Sequence, residues 1–203
     1  MSQSIIKKII RIILAVLFGT RIKKLSGKKV MMFGPPMSGK TTFKDWLIDG
    51  KPKDEYHQTG IEEGYNHFHD DENCIDFDIL DRGGHPEFLT GVGQSLYESH
   101  DVILLFFNVS KYIADNEYKN YVNALFDNLA TLFKNNSKPI LIIGSYKDML
   151  TQNRLQDVSL VNLVDSSKWY YQFLCGRKFI PVNTKDKNDI VKILKEMKKL
   201  IKN

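Results

Sequence analysis

Lys29-Val30-Met31-Met32-Phe33 leads into Gly34-Pro35-Pro36-Met37-Ser38-Gly39-Lys40-Thr41, and Thr42-Phe43-Lys44-Asp45-Trp46-Leu47-Ile48 follows. The first run is short and apolar and reads as a strand. The last has apolar residues at 43, 46 and 47, a helical spacing. The residues between fit G-x-x-x-x-G-K-[ST] in full. Strand, glycine loop and helix in that order is the context in which this pattern cradles phosphate. The candidate polyphosphate-binding residues are therefore Gly34, Pro35, Pro36, Met37, Ser38, Gly39, Lys40, Thr41 and Thr42. Loop N–H groups and the helix N-terminus would wrap the phosphates. Lys40 would reach the β- and γ-phosphates, and the Thr41 hydroxyl would hold Mg²⁺.

Around this loop the chain has the size of one globular domain, with 203 residues, 42% of them hydrophobic and 26% charged. Its net charge of +5 is unevenly placed. Residues 1–29 carry Lys7, Lys8, Arg11, Arg21, Lys23, Lys24, Lys28 and Lys29 and no acid, so residues 30–203 bear a net −3. A slightly acidic body argues against a general nucleic-acid binder, and no nucleic-acid partner is expected. Two cysteines far apart, Cys74 and Cys175, suit a reducing, cytoplasmic setting and offer no cysteine-based zinc framework.

The N-terminal basic groups are interleaved with Ile5-Ile6, Ile9-Ile10 and Ile12-Ile13-Leu14-Ala15-Val16-Leu17-Phe18. At helical spacing Ser4, Lys7, Lys8, Arg11 and Ala15 share one narrow face, and Ile and Leu cover the rest. The uncharged run Ile12–Thr20 is nine residues between Arg11 and Arg21. A spanning helix needs about 20 apolar residues. The segment therefore reads as a basic amphipathic helix over residues 1–26, with residues 4–18 lying on an anionic membrane surface. Crossing as a single-pass anchor would need the flanking cations to snorkel. A helix packed on the domain or on a partner is the alternative. No small-residue cleavage site follows the apolar core, and Ser2 excludes N-myristoylation of a glycine.

Four further landmarks lie downstream. Cys74-Ile75-Asp76-Phe77-Asp78-Ile79-Leu80-Asp81 alternates like a strand and ends in Asp81-Arg82-Gly83-Gly84-His85. Thr59-Gly60 sits 18 residues after Thr41 and 22 before Asp81. Pro139-Ile140-Leu141-Ile142-Ile143-Gly144 reads as a buried parallel strand running into Ser145-Tyr146-Lys147-Asp148. Phe179-Ile180-Pro181-Val182-Asn183-Thr184-Lys185 is a last strand and its loop. Taken along the chain with the loop at 34–41, and over roughly residues 28–202, these landmarks resemble those of the Ras-like small GTPases. The chain is closest in style to ADP-ribosylation-factor-like proteins and to the β subunit of the signal-recognition-particle receptor.

The resemblance implies the following roles. GTP/GDP and Mg²⁺ would be the ligands. Thr41, Thr59 and Asp81 would serve the metal, Asp81 through water and Thr59 only in the triphosphate state. The Gly84 N–H would meet the γ-phosphate, and His85 stands where the family most often has a water-orienting glutamine. Lys40, Gly84 and His85 are thus the candidate catalytic groups. Ser145, Tyr146, Lys147 and Asp148 occupy the place of N-K-x-D. Asp148 would pair with the guanine N1–H and 2-amino donors, while Ser145 and Tyr146 depart from the pattern. Asn183, Thr184 and Lys185 stand for S-A-K, with the Thr184 N–H meeting the guanine O6. The activity implied is a slow, partner-stimulated GTP hydrolase, a switch presenting residues 51–66 and 82–95 to effector and regulatory proteins. A GTPase-like scaffold with little turnover is the alternative, favoured by Ser145-Tyr146. A nucleotide kinase is a weaker rival, for no Arg-rich lid segment appears and Asp148 with 183–185 would go unexplained.

The expected architecture is α/β, a small-GTPase fold whose mostly parallel six-stranded sheet is flanked by helices, in a domain spanning 27–203. Strands are expected at 28–34, 64–69, 74–81, 101–108, 139–144 and 178–182, and helices at 39–49, 89–99, 115–135, 157–175 and 188–202. Asp70-Asp71-Glu72-Asn73 reads as a tight connector, so one hairpin should break the parallel pattern. His67 and His69, two apart, face one side of the second strand. With Asp70 they form a metal-ligating combination, but without a cysteine partner they read first as a solvated strand face. Among Trp169-Tyr170-Tyr171-Gln172-Phe173, two or three aromatics are expected to anchor a helix to the sheet, and any left outside would mark a partner surface.

Overall fold

The computed structural model describes residues 27–52, 64–70, 75–81, 91–151 and 158–201. The N-terminal helix expected over 1–26, Thr59, the connector 71–73 and the segment Arg82–His85 lie outside them. Strand β1 is Lys28–Phe33, followed by helix α1, Lys40–Asp49. Then come β2, Asn66–Asp70, β3, Ile75–Asp81, α2, Gly91–Ser99, and β4, Val102–Asn108. Next are α3, Val109–Ala114, α4, Asn116–Asn135, and β5, Ile140–Ser145. The chain closes with α5, Leu160–Leu163, α6, Tyr171–Cys175, β6, Lys178–Pro181, and α7, Lys187–Leu200. The six strands form one sheet in the order β2-β3-β1-β4-β5-β6. Only β2 runs antiparallel to its neighbour, pairing Asn66 with Ile79 and His69 with Asp76.

Burial on both faces explains the continuous apolar runs of β4 and β5, all of whose residues are buried. One face packs Phe43 and Leu47 of α1 and Ile190, Ile193, Leu194 and Met197 of α7 on Val30, Met32, Phe77, Leu104 and Ile143. The other packs Val122, Leu125, Phe126 and Leu129 of α4, with Tyr97 of α2, on Met31, Phe33, Ile103, Leu105 and Ile142. Each fully buried side chain of this size contributes roughly 1.5–3 kcal/mol. At the β2 edge, Phe68 joins the first face and stacks at a tilt on Phe77, 5.3 Å between centroids. That pairing fixes the hairpin register and turns His67 and His69 outward.

One helix expectation is corrected, and one helix is added. The helix expected over 157–175 is two short ones, α5 and α6, because Asp165 accepts from the Ser167 N–H at 2.9 Å and the Lys168 N–H bonds the Asp165 carbonyl. A side chain that bonds its own backbone in this way competes with the helix. Helix α3 was not expected and springs directly from β4. Asn108 caps it by accepting from the Lys111 N–H at 3.0 Å, and Asp115 stops it and caps α4. Of the aromatic cluster, Tyr170 is buried, Tyr171 and Phe173 pack partly against the second face, and Trp169 is left exposed. The Trp169 Nε1–H bonds Asp127, and Lys134 lies 4.0 Å from the ring centre.

Candidate functional site

Four strand ends set the geometry of the site. The loop after β1, the last residue of β3, the end of β5 and the turn after β6 all lie at the carboxyl ends of parallel strands, where open α/β sheets bind ligands. Within the loop, Gly34 has φ 145° and passes so close to β4 that a Cβ would stand 1.9 Å from the Phe106 carbonyl oxygen. Gly39, at φ 86°, is the N-cap of α1, and a Cβ there would lie 3.0 Å from Thr184 Cγ2 and 3.3 Å from Ser145 Cβ. The phosphate-type loop, the 145–148 turn and the 183–185 loop therefore meet at one glycine.

Gly39 offers no capping side chain at the N-terminus of α1, and the first turn of that helix holds no acidic residue. Such an end presents N–H groups and the positive end of the helix dipole to an anion. The Lys40 ammonium is buried beneath it and donates to the Gly34 and Pro35 carbonyls, both at 2.9 Å, and to Ser38 Oγ at 3.2 Å. Burial pushes its pKa down from 10.5 to about 8, against the opposing pull of the Asp81 carboxylate. The lysine is a desolvated cation held by neutral oxygens.

Asp81 is fully buried at the end of β3. Its Oδ2 accepts from the Thr41 hydroxyl at 2.9 Å and lies 3.7 Å from Lys44 Nζ, whereas its Oδ1 has no hydrogen-bond partner among the described residues. A buried carboxylate oxygen lacking a donor, beside a hydroxyl, is a hard-oxygen donor set that fits Mg²⁺. Lys44 is absent from the sequence-derived site. It lies four residues after Lys40, on the same helix face, and that spacing was the available signal.

The 145–148 turn and the 183–185 loop are tied together from below. Ser145 is buried and its hydroxyl donates to the Phe107 carbonyl at 3.0 Å. Tyr146 has φ 61°, the left-handed region that non-glycine residues rarely occupy, and it turns the chain into the short 3₁₀ turn Lys147–Met149. Asp148 is exposed on that turn. Lys147 does not face outward. Its ammonium donates to Asp189 Oδ1 at 2.8 Å, and Asp189 Oδ2 accepts the Asn183 N–H at 2.7 Å. Asp189, in the first turn of α7, thus clamps the 145–148 turn and the 183–185 loop to each other, a role no motif announced. Asn183 Oδ1 accepts from the Lys185 N–H at 2.9 Å, and Thr184 is buried against Gly39. Pro36 and Met37 are exposed on the outer side of the loop, and Thr42 is half-buried at the start of α1. Thr59, Gly84 and His85 lie outside the described residues.

A doubly covered, mostly parallel sheet with this loop at its first strand end defines a P-loop nucleotide-binding protein. The family model for the Ras family matches residues 29–203, and the chain belongs to that family. No curated protein matches the chain. Proteins of the Ras family bind guanine nucleotides, hydrolyse GTP and act as switches on effectors and regulators, and this chain is a GTP-binding protein of that kind. Among the described residues, no helix is long and apolar enough to cross a membrane.

Proposed function

We infer that the chain is a Mg²⁺-dependent guanine-nucleotide switch that hydrolyses GTP slowly and is stimulated by a partner. The observation that carries this reading is the meeting at Gly39 of the 34–41 loop with Thr184 and Ser145, which would set a phosphate cradle beside a base-recognition turn. Lys40, already desolvated, would exchange the Gly34 and Pro35 carbonyls for phosphate oxygens, a stronger, charge-assisted interaction. Thr41, Thr59 and Asp81 would hold Mg²⁺, which supplies charge neutralisation at the transferring phosphoryl group. Asp148 would select guanine, because its carboxylate accepts from the N1–H and 2-amino donors that adenine lacks. Thr184 and Lys185 would complete the base pocket.

His85 would orient the attacking water and Gly84 would donate to the γ-phosphate. Residues 51–66 and 82–95 would change with the nucleotide and face effectors and regulators. Residues 4–18 would hold the chain peripherally on the cytoplasmic side of an anionic membrane. The finer likeness to ADP-ribosylation-factor-like proteins and the receptor β subunit agrees with a membrane-bound switch. A scaffold with little turnover is favoured by one feature, the Ser145 hydroxyl bound to Phe107 beside a left-handed Tyr146 in place of the family's Asn-Lys pair. Single-turnover hydrolysis of bound GTP separates the two readings. A switch converts GTP to GDP, and His85→Ala keeps the nucleotide but slows conversion. A chain that retains GTP unchanged, with or without a cell extract, is the scaffold.

A further inference from the structure

The face of the β2–β3 hairpin turned away from Phe68 and Phe77 carries a second cluster. His67 and His69 stand opposite Asp78 and Asp76 across the antiparallel pair. His67 Nδ1 lies 3.0 Å from Asp78 Oδ1, and His67 Nε2 lies 3.2 Å from Asp76 Oδ1. Ligand atoms of His67, His69 and Asp76 all lie within 4.8 Å of one another. In a tetrahedral zinc site with bonds of about 2.0–2.1 Å, ligand atoms sit roughly 3.4 Å apart. Small side-chain rotations in this half-open setting therefore close the gap. The facing strand adds Asp76 and Asp78 to the two histidines, a contribution that sequence spacing did not suggest.

We propose that His67, His69 and Asp76 form a binding site for a divalent transition cation of the zinc class, with Asp78 orienting His67. Two imidazole nitrogens and one carboxylate suit zinc, with a fourth position left to solvent, and do not suit Mg²⁺, which prefers oxygen throughout. With an ion on Nε2, His67 Nδ1–H would donate to Asp78 Oδ1, 3.0 Å away, the outer arrangement that metal-binding histidines commonly have. Lys29, the basic neighbour in register with Asp78, holds its ammonium 5.4 Å from the Tyr65 ring centre. His100, the other described histidine nearby, is engaged by Tyr65 Oη and the Leu96 carbonyl. An ion bridging both strands would pin the hairpin that lies in the chain between residues 51–66 and 82–95. The site stands independently of the nucleotide reading.

Zn²⁺ titration of the full chain against a chromophoric chelator, in excess Mg²⁺ to occupy the oxygen site, tests it. One Zn²⁺ per chain is expected. His67→Ala and His69→Ala should each weaken it at least tenfold, and Asp78→Asn by roughly 10–100-fold. Unchanged nucleotide affinity in the same variants would show that they fold. Imidazole NMR of the wild type provides a readout that needs no variant, with Zn²⁺-dependent shifts expected at His67 and His69. Absence of micromolar Zn²⁺ binding, equal binding by the variants, or shifts confined to His57, His85 or His100 would overturn the proposal.

Discussion

Lys40→Met removes a buried ammonium while keeping most of the side chain's length, and its effect on stability should depend on pH in a defined way. In the nucleotide-free protein the Lys40 pKa is about 8 against an ordinary 10.5, and burial is the main cause. Between those values the folded chain holds fewer protons than the unfolded one, so the stability contributed by this group rises with pH across that window. Below it the lysine is charged in both states and the burial penalty stands in full, about 3 kcal/mol. The stability difference between wild type and Lys40→Met should therefore shift in favour of wild type by about 2.5 kcal/mol between about pH 7 and about pH 10. Urea unfolding of both nucleotide-free proteins across this range measures it, and taking the difference cancels other lysines and tyrosines that titrate alike. Bound GDP should remove the slope, because a polyphosphate beside Lys40 restores its pKa, and the variant should gain no stability from GDP. Parallel curves for the two nucleotide-free proteins would refute the picture of a desolvated lysine waiting for an anion.

Three other outcomes are expected. Asp148→Asn should weaken GDP binding by roughly 1.5–3 kcal/mol, the worth of hydrogen bonds to a charged group, and shift preference toward xanthine nucleotides in competition assays. Gly34→Ala should destabilise the fold by about 2–5 kcal/mol on chemical denaturation, since backbone strain and the clash with the Phe106 carbonyl leave nothing flexible to yield. Wild-type stability in that variant would show that the loop stands off β4. A chain starting at Gly27 should lose binding to anionic liposomes, with each basic residue near the surface worth about 1 kcal/mol and weakened by salt. Equal sedimentation of the two chains would remove the anchor, and resistance of the full chain to alkaline carbonate would show a spanning helix instead.

Much of the scaffold was legible because periodicity and burial agree in it. The apolar runs Val102–Asn108 and Ile140–Ser145 could be satisfied only by a sheet covered on both faces. The loop at 34–41 was legible because glycines, lysine and threonine have fixed spacing. What escaped depends on contacts between distant residues. Asp189 clamps Lys147 and Asn183 across 42 and six positions, Lys44 approaches Asp81, and Asp76 faces His69 only once the hairpin register exists. The break at Asp165 was missed for a local reason. Apolar spacing over 157–175 looked helical, while a single carboxylate bonded to the Ser167 N–H outweighed it.

Calorimetric titration of the nucleotide-free full chain with GTP and with ATP, both in Mg²⁺, addresses the central claim most directly. The account predicts one GTP bound per chain, with ATP weaker by a factor large enough to reflect the donors read by Asp148. Equal affinity for the two nucleotides would contradict it.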